Sequence, residues 1–456
     1  MATSKKKKVE EVDESLALIA KLRSMAPKKD GGGCTWEVSS TKDLVLSAVN
    51  YVLTTGIESF DSIVGGMPFG RMVELYGLES CGKTAMSIRC AVRAMTKNIS
   101  EVTHNADKTI TLRPLKPEEC KIVVMYVDNE QSLDEDGKLM VDGQRLDVVG
   151  FRCDTTDDMF KAIDGALTLQ EKRAEAEDED GIKRFMFIVV DTIASTSTKE
   201  EIGADWGKQD FPRQALQISK ALRQLTRRVN RYNVCVLFTN QVRTNFKAQQ
   251  QKGGNVFAIK AGDYTSVGGM ALRYYTSHRV FMYALNSKYK LLPDGQFAAG
   301  LQVGFHTVKN RLRPPLRDGR MVLLFDKDKG GLNDVFSTLE TLVFLGFVDI
   351  ESETKHTGYT LRFKANNIIP TTFDRAAVET TLDDDEDAPR VPRKGHGRKD
   401  PGFKTRAEWP KFYEEHKADV DVLWHAAIEY AMSTEGLDGG VQVVEEENPV
   451  NPAAED

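Results

Sequence analysis

Between an apolar run, Met72 to Tyr76, and a helical pattern opening at Thr84, the chain reads Gly77, Leu78, Glu79, Ser80, Cys81, Gly82, Lys83, Thr84, then Ala85. The spacing is G-x-x-x-x-G-K-[ST], and strand before and helix after are the context it requires. Glycines at 77 and 82 let the backbone curl until successive N–H groups face inward. The helix dipole adds to that concavity, so it suits phosphate oxygens. Lys83 is placed to reach the outer phosphates of a nucleotide. The Thr84 hydroxyl suits Mg²⁺, a hard cation that prefers oxygen. A chance glycine turn is the alternative, and the flanking elements argue against it.

The rest of the chain tells what kind of sheet carries that loop. From about residue 50 to 335, the runs RMVELY, KIVVMYVD, RFMFIVVD, VCVLFTN, HRVFMYAL, VGFHTV and MVLLF alternate with helical patterns. Near-continuous apolar strands predict an α/β fold with a central sheet covered on both faces. Two polar stretches, NISEVTHNADKTITLRPLKPEEC and EKRAEAEDEDGIK, read as surface insertions. Ahead of the core, Val9, Val12, Leu16 and Ile19 recur at helical spacing before PKKDGGG, a tethered amphipathic helix. The expected parts are 1–34 (helix and tether), 35–330 (core), 331–376 (small α+β module), 377–406 (charged linker), 407–434 (helical segment) and 435–456 (acidic tail). Net charge is −6, with local runs of both signs. The total therefore does not exclude a polyanionic partner. Scattered cysteines indicate neither a zinc site nor a disulfide framework. No bilayer-spanning run or secretory signal is seen, so a cytoplasmic location is expected.

Two further positions have chemistry that complements the loop. RFMFIVVD ends its strand in Asp191, beside the phosphate loop in a parallel sheet, where a carboxylate can hold magnesium or its water shell. Asp128 and Glu130, at the end of KIVVMYVD, are both candidates to orient an attacking water; spacing does not separate them, and capping is the alternative for Asp128.

TTGIESFDSIVGGMPFGRMVELYGLESCGKT, VDNEQSLD, FIVVDTIAS, LFTNQVR, GGMALRYYTSHR and VKNRLRPP occur in that order. Together they resemble the RecA-type DNA recombinases, bacterial and phage-encoded, over roughly residues 50 to 345. The resemblance implies a RecA-like P-loop ATPase core, a twisted mixed, mostly parallel sheet flanked by helices, which forms a helical homopolymer on DNA with ATP and Mg²⁺ at subunit boundaries. It favours Glu130 over Asp128 as the water-positioning carboxylate. It implies phosphate and metal contacts for Lys83, Thr84 and Asp191, and an adenine contact for Asp134, although Gly137 stands where a tyrosine is usual. Gln241 is implied as the residue sensing the γ-phosphate, and Lys309 and Arg311 as cations reaching the neighbouring subunit's nucleotide.

Two DNA-binding loops follow from the same resemblance. The first spans about 201–212, with Phe211 as a wedge between bases and Ser219 and Arg223 on the next helix. The second spans 242–269, with Arg243, Phe246, Gly268 and Gly269, and with Lys247, Lys252 and Lys260 adding charge. Expected partners are single- and double-stranded DNA, further copies of the chain, and single-strand-binding and mediator proteins. The basic segment 390–406 is a candidate for a second DNA strand or a solvated linker, and the acidic tail for its competitor. The N-terminal helix is expected to dock on the next subunit. A hexameric helicase and a non-catalytic loading factor are the competing readings. The implied compartment is the bacterial cytoplasm, and the divergent loops suggest a phage-encoded source.

Overall fold

The computed structural model describes residues 49–105, 110–131, 133, 140–141, 144–199, 213–244, 264–289, 299–325, 331–353, 356–361, 402–403 and 406–433. The N-terminal helix, most of the linker and the acidic tail lie outside them, as do Asp134, Gly137, Phe211, Phe246, Lys247, Lys252 and Lys260.

From the N-terminal side, β1 (Tyr51–Leu53) leads to α1 (Glu58–Val64), β2 (Met67–Pro68), β3 (Arg71–Gly77) and α2 (Lys83–Met95). A hairpin, β4 (Ile99–His104) and β5 (Ile110–Pro114), precedes β6 (Cys120–Asp128). The short β7 (Met140–Val141) and β8 (Gln144–Arg145) pair with each other, and β9 (Val149–Phe151) leads into α3 (Thr156–Glu175) and α4 (Glu177–Asp180). Then come β10 (Lys183–Asp191), α5 (Arg213–Arg231), β11 (Val234–Thr244), β12 (Tyr264–Ser266) and α6 (Ala271–Tyr275). The chain closes with β13 (His278–Tyr289), β14 (Gly300–Lys309), β15 (Asp318–Leu324), β16 (Gly331–Asn333), α7 (Asp334–Phe344), β17 (Val348–Glu353), β18 (His356–Leu361), β19 (Gly402–Phe403), α8 (Trp409–Glu415) and α9 (Lys417–Met432).

One ten-stranded sheet organises this order, β16-β15-β14-β13-β3-β11-β10-β6-β9, with β12 attached to β11. From β13 to β9 neighbours run parallel; β14, β15 and β16 add antiparallel. The expected mixed, mostly parallel sheet is present. Its last strands follow one another as a meander, because HRVFMYAL, VGFHTV and MVLLF have no helix between them to make a parallel crossover. β3 is buried along its whole length, as a strand covered on both faces must be. Val73, Leu75, Phe185, Phe187 and Val189 pack on one face with Met86, Ala91 and Val92 of α2. Met72, Met186, Ile188 and Val190 pack on the other with α3 and α5, through Ile163, Ile218, Leu222 and Val229.

The described residues of the two polar stretches read as insertions form regular elements. The first supplies β4 and β5, which extend β1 and β2 into a four-stranded sheet. The second continues α3 and forms α4, held by Arg184 and Lys183 on Asp180 and Glu177. Cross-strand pairing and ion pairs supplied partners that polarity alone concealed.

The segment after residue 331 returns to the sheet. Asn333 caps α7 by accepting from the Phe336 N–H at 3.1 Å. Phe336, Leu339, Leu342, Phe347, Phe403, Trp409, Phe412, Leu423 and Trp424 share one apolar cluster with Tyr289 and Val322 of the main sheet. Trp409 is fully buried and its indole N–H donates to Val335 O at 2.6 Å. A carboxylate completes the joint: Glu340 accepts from Tyr289 Oη at 2.9 Å, Gln302 Nε2 at 2.8 Å and Arg406 Nε at 2.7 Å. No helix among the described residues is long and apolar enough to cross a membrane.

Two predictions follow from this packing. Trp409→Ala removes the largest fully buried side chain of the cluster and should cost about 3–5 kcal/mol, read from chemical denaturation. His278 is fully buried, and its pKa is pushed from 6.5 down to about 3 by burial first and then by the charges of Arg71, Arg311 and Lys309. The unfolded chain therefore takes up a proton that the fold refuses, and stability should fall as pH drops below about 6.5 and be insensitive to this group above it. The slope of unfolding free energy against pH between about 6.5 and 5 should flatten in His278→Phe; an unchanged slope would reject the assignment.

Candidate active site

The parallel register brings the ends of four strands together. Gly77 of β3 lies opposite Gln241 of β11 and Met282 of β13, while Asp191 of β10 lies opposite Asp128 of β6. The phosphate loop leaves β3 at this edge. A Cβ on Gly77 would stand 1.9 Å from the carbonyl oxygen of Met282, so only glycine permits the loop to leave flush against β13. Gly82 has φ +83°, the left-handed turn that starts α2.

Leu78 N–H and Met86 N–H have backbone acceptors. Among the described residues, those of Glu79, Ser80, Gly82, Thr84 and Ala85 donate to no protein acceptor. The first turn of α2 has no acidic residue. Donors without acceptors, a helix N-terminus and a lysine make a concavity that fits a polyphosphate. Lys83 Nζ folds over this loop onto Leu78 O at 2.6 Å and Gly77 O at 3.1 Å. Cys81 is buried, donates Sγ–H to Leu78 O at 2.9 Å, and has its thiol pKa raised by burial against the opposing charge of Lys83. It is therefore a packing residue of the loop.

Asp191 is 1% exposed. Its Oδ2 accepts from Tyr126 Oη at 2.9 Å and lies 3.5 Å from Ser87 Oγ, and its Oδ1 accepts from Thr239 Oγ1 at 2.5 Å. Ser87 Oγ is also 2.7 Å from Tyr126 Oη and donates to Thr84 O at 2.8 Å. Burial first, and then the neighbouring Asp191, raise the Tyr126 pKa well above 10, so that hydroxyl remains a donor. A carboxylate oriented by the Tyr126 and Thr239 hydroxyls, with Ser87 linking it to the Thr84 turn, fits a divalent cation held partly through its water shell. Tyr126, Ser87 and Thr239 were not singled out from sequence. Their signal was present, since Tyr126 and Asp128 alternate on one strand and Ser87 stands one helical turn after Thr84.

Asp128 and Glu130 separate in space. Asp128 is 4% exposed, accepts from Leu133 N–H at 3.3 Å and lies 3.9 Å from Arg152. Glu130 is exposed, and Gln241 Nε2 donates to its Oε1 at 3.0 Å. Backbone bonds hold this corner: Asn129 N–H and Glu130 N–H both point at Asp191 O, at 2.8 and 3.3 Å.

Behind Gln241 lies a buried polar group that sequence reading passed over. Glu74, fully buried in β3, accepts from Arg279 Nε at 2.6 Å and Asn240 Nδ2 at 2.9 Å. Arg279 NH2 continues to Ser266 Oγ at 3.2 Å, and Asn240 Nδ2 to Val267 O at 2.8 Å. Val267 N–H donates to Gln241 O at 3.2 Å. The two chain ends flanking residues 245–263 are thus tied to the strand that carries the phosphate loop.

Of the residues read as DNA contacts, Arg243 is exposed on β11 opposite Thr265 of β12. Gly268 and Gly269 have φ +92° and +79° and sit over Ile218 and Ala215 of α5, the helix that also carries Ser219 and Arg223. Lys309 and Arg311 are elsewhere. Lys309 lies opposite Arg279, three residues back along β13 from Met282 and two strands from β3, so about 10 Å along and about 10 Å across from Gly77. Its Nζ donates to Arg273 O at 3.0 Å and Tyr274 O at 3.1 Å, and its pKa is lowered by burial and then by Arg311 and Arg279.

Comparison with known proteins gives this geometry its context. The family described as RecA N-terminal domain matches residues 162–330. Protein RecA of Thermus aquaticus is 30% identical over 302 residues, 65% of this chain and 73% of that protein. Protein RecA of Mannheimia haemolytica is 28% identical over 346 residues, 74% of this chain and 78% of the relative. Protein RecA of Haemophilus ducreyi is 27% identical over the same length, covering 74% and 77%. On this identity and coverage the chain belongs to the RecA family of DNA recombinases, which act by strand exchange in recombination and repair.

Proposed function

We propose that this recombinase is a DNA-dependent ATPase that assembles on single-stranded DNA as an ATP-bound helical filament, pairs it with homologous duplex and exchanges strands. The observation that carries the reading is the 3.0 Å bond from Gln241 to Glu130, on a strand in register with Gly77. ATP is held by the free N–H groups of the loop and by Lys83, which exchanges the carbonyls of Gly77 and Leu78 for phosphate oxygens. Thr84 and Asp191 would hold Mg²⁺, which when bound would supply positive charge to the phosphates. Glu130 orients a water and takes its proton as the new P–O bond forms and the β–γ bridging bond breaks, giving ADP and inorganic phosphate. Gln241 has one amide for two partners, Glu130 and the γ-phosphate. Its choice is passed to residues 245–263 through Asn240, Val267 and Ser266.

Lys309 and Arg311 stand away from their own loop, which supports a role at a neighbouring subunit's nucleotide. Hydrolysis then depends on assembly. Phe211 and Phe246 are the wedges between bases in this reading, with Ser219, Arg223, Arg243, Gly268 and Gly269 on phosphates. Asp134 serves the adenine, and the segment ahead of residue 35 docks on the next subunit. Single-strand-binding and mediator proteins complete the partner set, and the bacterial relatives favour the bacterial cytoplasm as its compartment.

Glu130→Ala should still form filaments on single-stranded DNA with ATP, while phosphate release falls about 100-fold or more; loss of filaments in electron micrographs would instead assign Glu130 to structure. The seam arrangement is tested by mixing. Lys83→Ala and the double variant Lys309→Ala/Arg311→Ala should each turn over little ATP alone, yet regain activity when co-assembled, because some seams then join an intact loop to intact cations. A mixture no more active than its components would place both cations in the loop's own subunit.

A further inference from the structure

The helix α5 has a face that the cycle above does not use. Its sequence holds Arg213, Lys220, Arg223, Arg227, Arg228 and Arg231 and no acidic residue. Ile218, Leu222, Leu225 and Val229 are buried against the sheet. Lys220, Arg223, Arg227 and Arg231 are all exposed. At about 100° per residue they fall within one narrow stripe opposite the apolar face, spread over about 16 Å of helix with a cation roughly every turn.

Two observations separate this stripe from an ordinary solvated surface. Arg228, one position off it, is neutralised by Asp164 and by Glu171 at 3.0 Å. Lys220, Arg223 and Arg227 have no ion-pair partner among the described residues, and Arg231 has only the ring of Tyr232 at 5.6 Å. Arg223, Arg227 and Arg231 also repeat at i, i+4, a like-charge series that weakens a helix by a few tenths of a kcal/mol per pair. The fold thus keeps a mutually repelling series beside a residue to which it supplies two carboxylates. An external polyanion removes that repulsion.

The stripe starts just after the point where Gly268 and Gly269 lie over Ile218 and Ala215 of the same helix. It then runs away from them. Between Lys220 and Arg231 the chain has no aromatic residue on which an unpaired base could stack, and Tyr232 just beyond is half-buried against the core. Cations without stacking platforms suit a nucleic acid whose bases are already paired. Resting on the recombinase reading, we infer that Arg227 and Arg231 form a phosphate-binding ridge for the incoming duplex, continuing from the single-strand contact at Arg223.

The test uses full-length protein assembled on single-stranded DNA with a non-hydrolysable ATP analogue, presented with labelled duplex of unrelated sequence over a salt series. In Arg227→Gln/Arg231→Gln the plot of log affinity for duplex against log salt should be less steep by about 1.8, two phosphate contacts at about 0.9 each. ATP turnover on single-stranded DNA should stay within about twofold of wild type. Arg227→Lys/Arg231→Lys should restore the slope, because a point charge is enough for a phosphate. Thermal unfolding should show the glutamine variant at least as stable as wild type, since repulsion has been removed. Wild-type duplex affinity and slope in the glutamine variant would overturn the inference. So would single-strand binding weakened by the same factor, which would assign the ridge to the first strand. A wild type whose turnover ignores single-stranded DNA would sink the recombinase cycle itself, a failure seen without any variant.

Discussion

A carboxylate and a guanidinium with almost no solvent hold the centre of this protein. Removing Glu74 and Arg279 from water is expensive, and the cost is recovered only if every partner is in place. Here Arg279 and Asn240 satisfy the carboxylate, and Ser266 and the ring of Tyr76, 4.5 Å from the guanidinium carbon, take the rest of the arginine. The group spans β3, β11, β12 and β13. Any register other than the observed one would leave a charge buried and alone, so the pair selects which strands are neighbours and how they are aligned.

That alignment makes the site. Once Glu74 and Arg279 are opposite, Gly77 falls beside Gln241 and Met282. The loop, the amide at the end of β11 and the carboxylates after β6 and β10 then open at one edge. Residues 245–263 leave and return at the same edge through β11 and β12. The ends of β11 and β12 that flank this segment are paired with each other and, through Asn240, bonded to Glu74 of β3 and to Val267. The C-terminal cluster around Trp409 and Glu340 lies against the antiparallel side, packing on Tyr289 of β13 and Val322 of β15, while Glu340 accepts from Gln302 of β14, the strand that carries Lys309.

Charge is distributed by the same logic. The chain is acidic in total, yet α5 has six cations and no acid. Net charge describes solubility and long-range repulsion, whereas recognition depends on the field at one face. Only the placement of Asp164 and Glu171 beside Arg228 distinguishes a neutralised cation from the bare ones next to it.

The sequence by itself determined the parts whose signal is local. The phosphate loop, the strand ending in Asp191 and the apolar strands were legible because glycine geometry and periodicity act over a few residues. The order of motifs was enough to identify the family. Tertiary structure alone showed how Asp128 and Glu130 part, since a two-residue spacing is the same whether a side chain turns inward to Leu133 N–H or outward to Gln241. It alone revealed the partners of Glu74, up to 205 positions away in the chain. It also converted two polar stretches into a hairpin and a helix end. Pairing partners across a sheet are set by long-range register, and no local pattern encodes which distant residue will satisfy a buried charge.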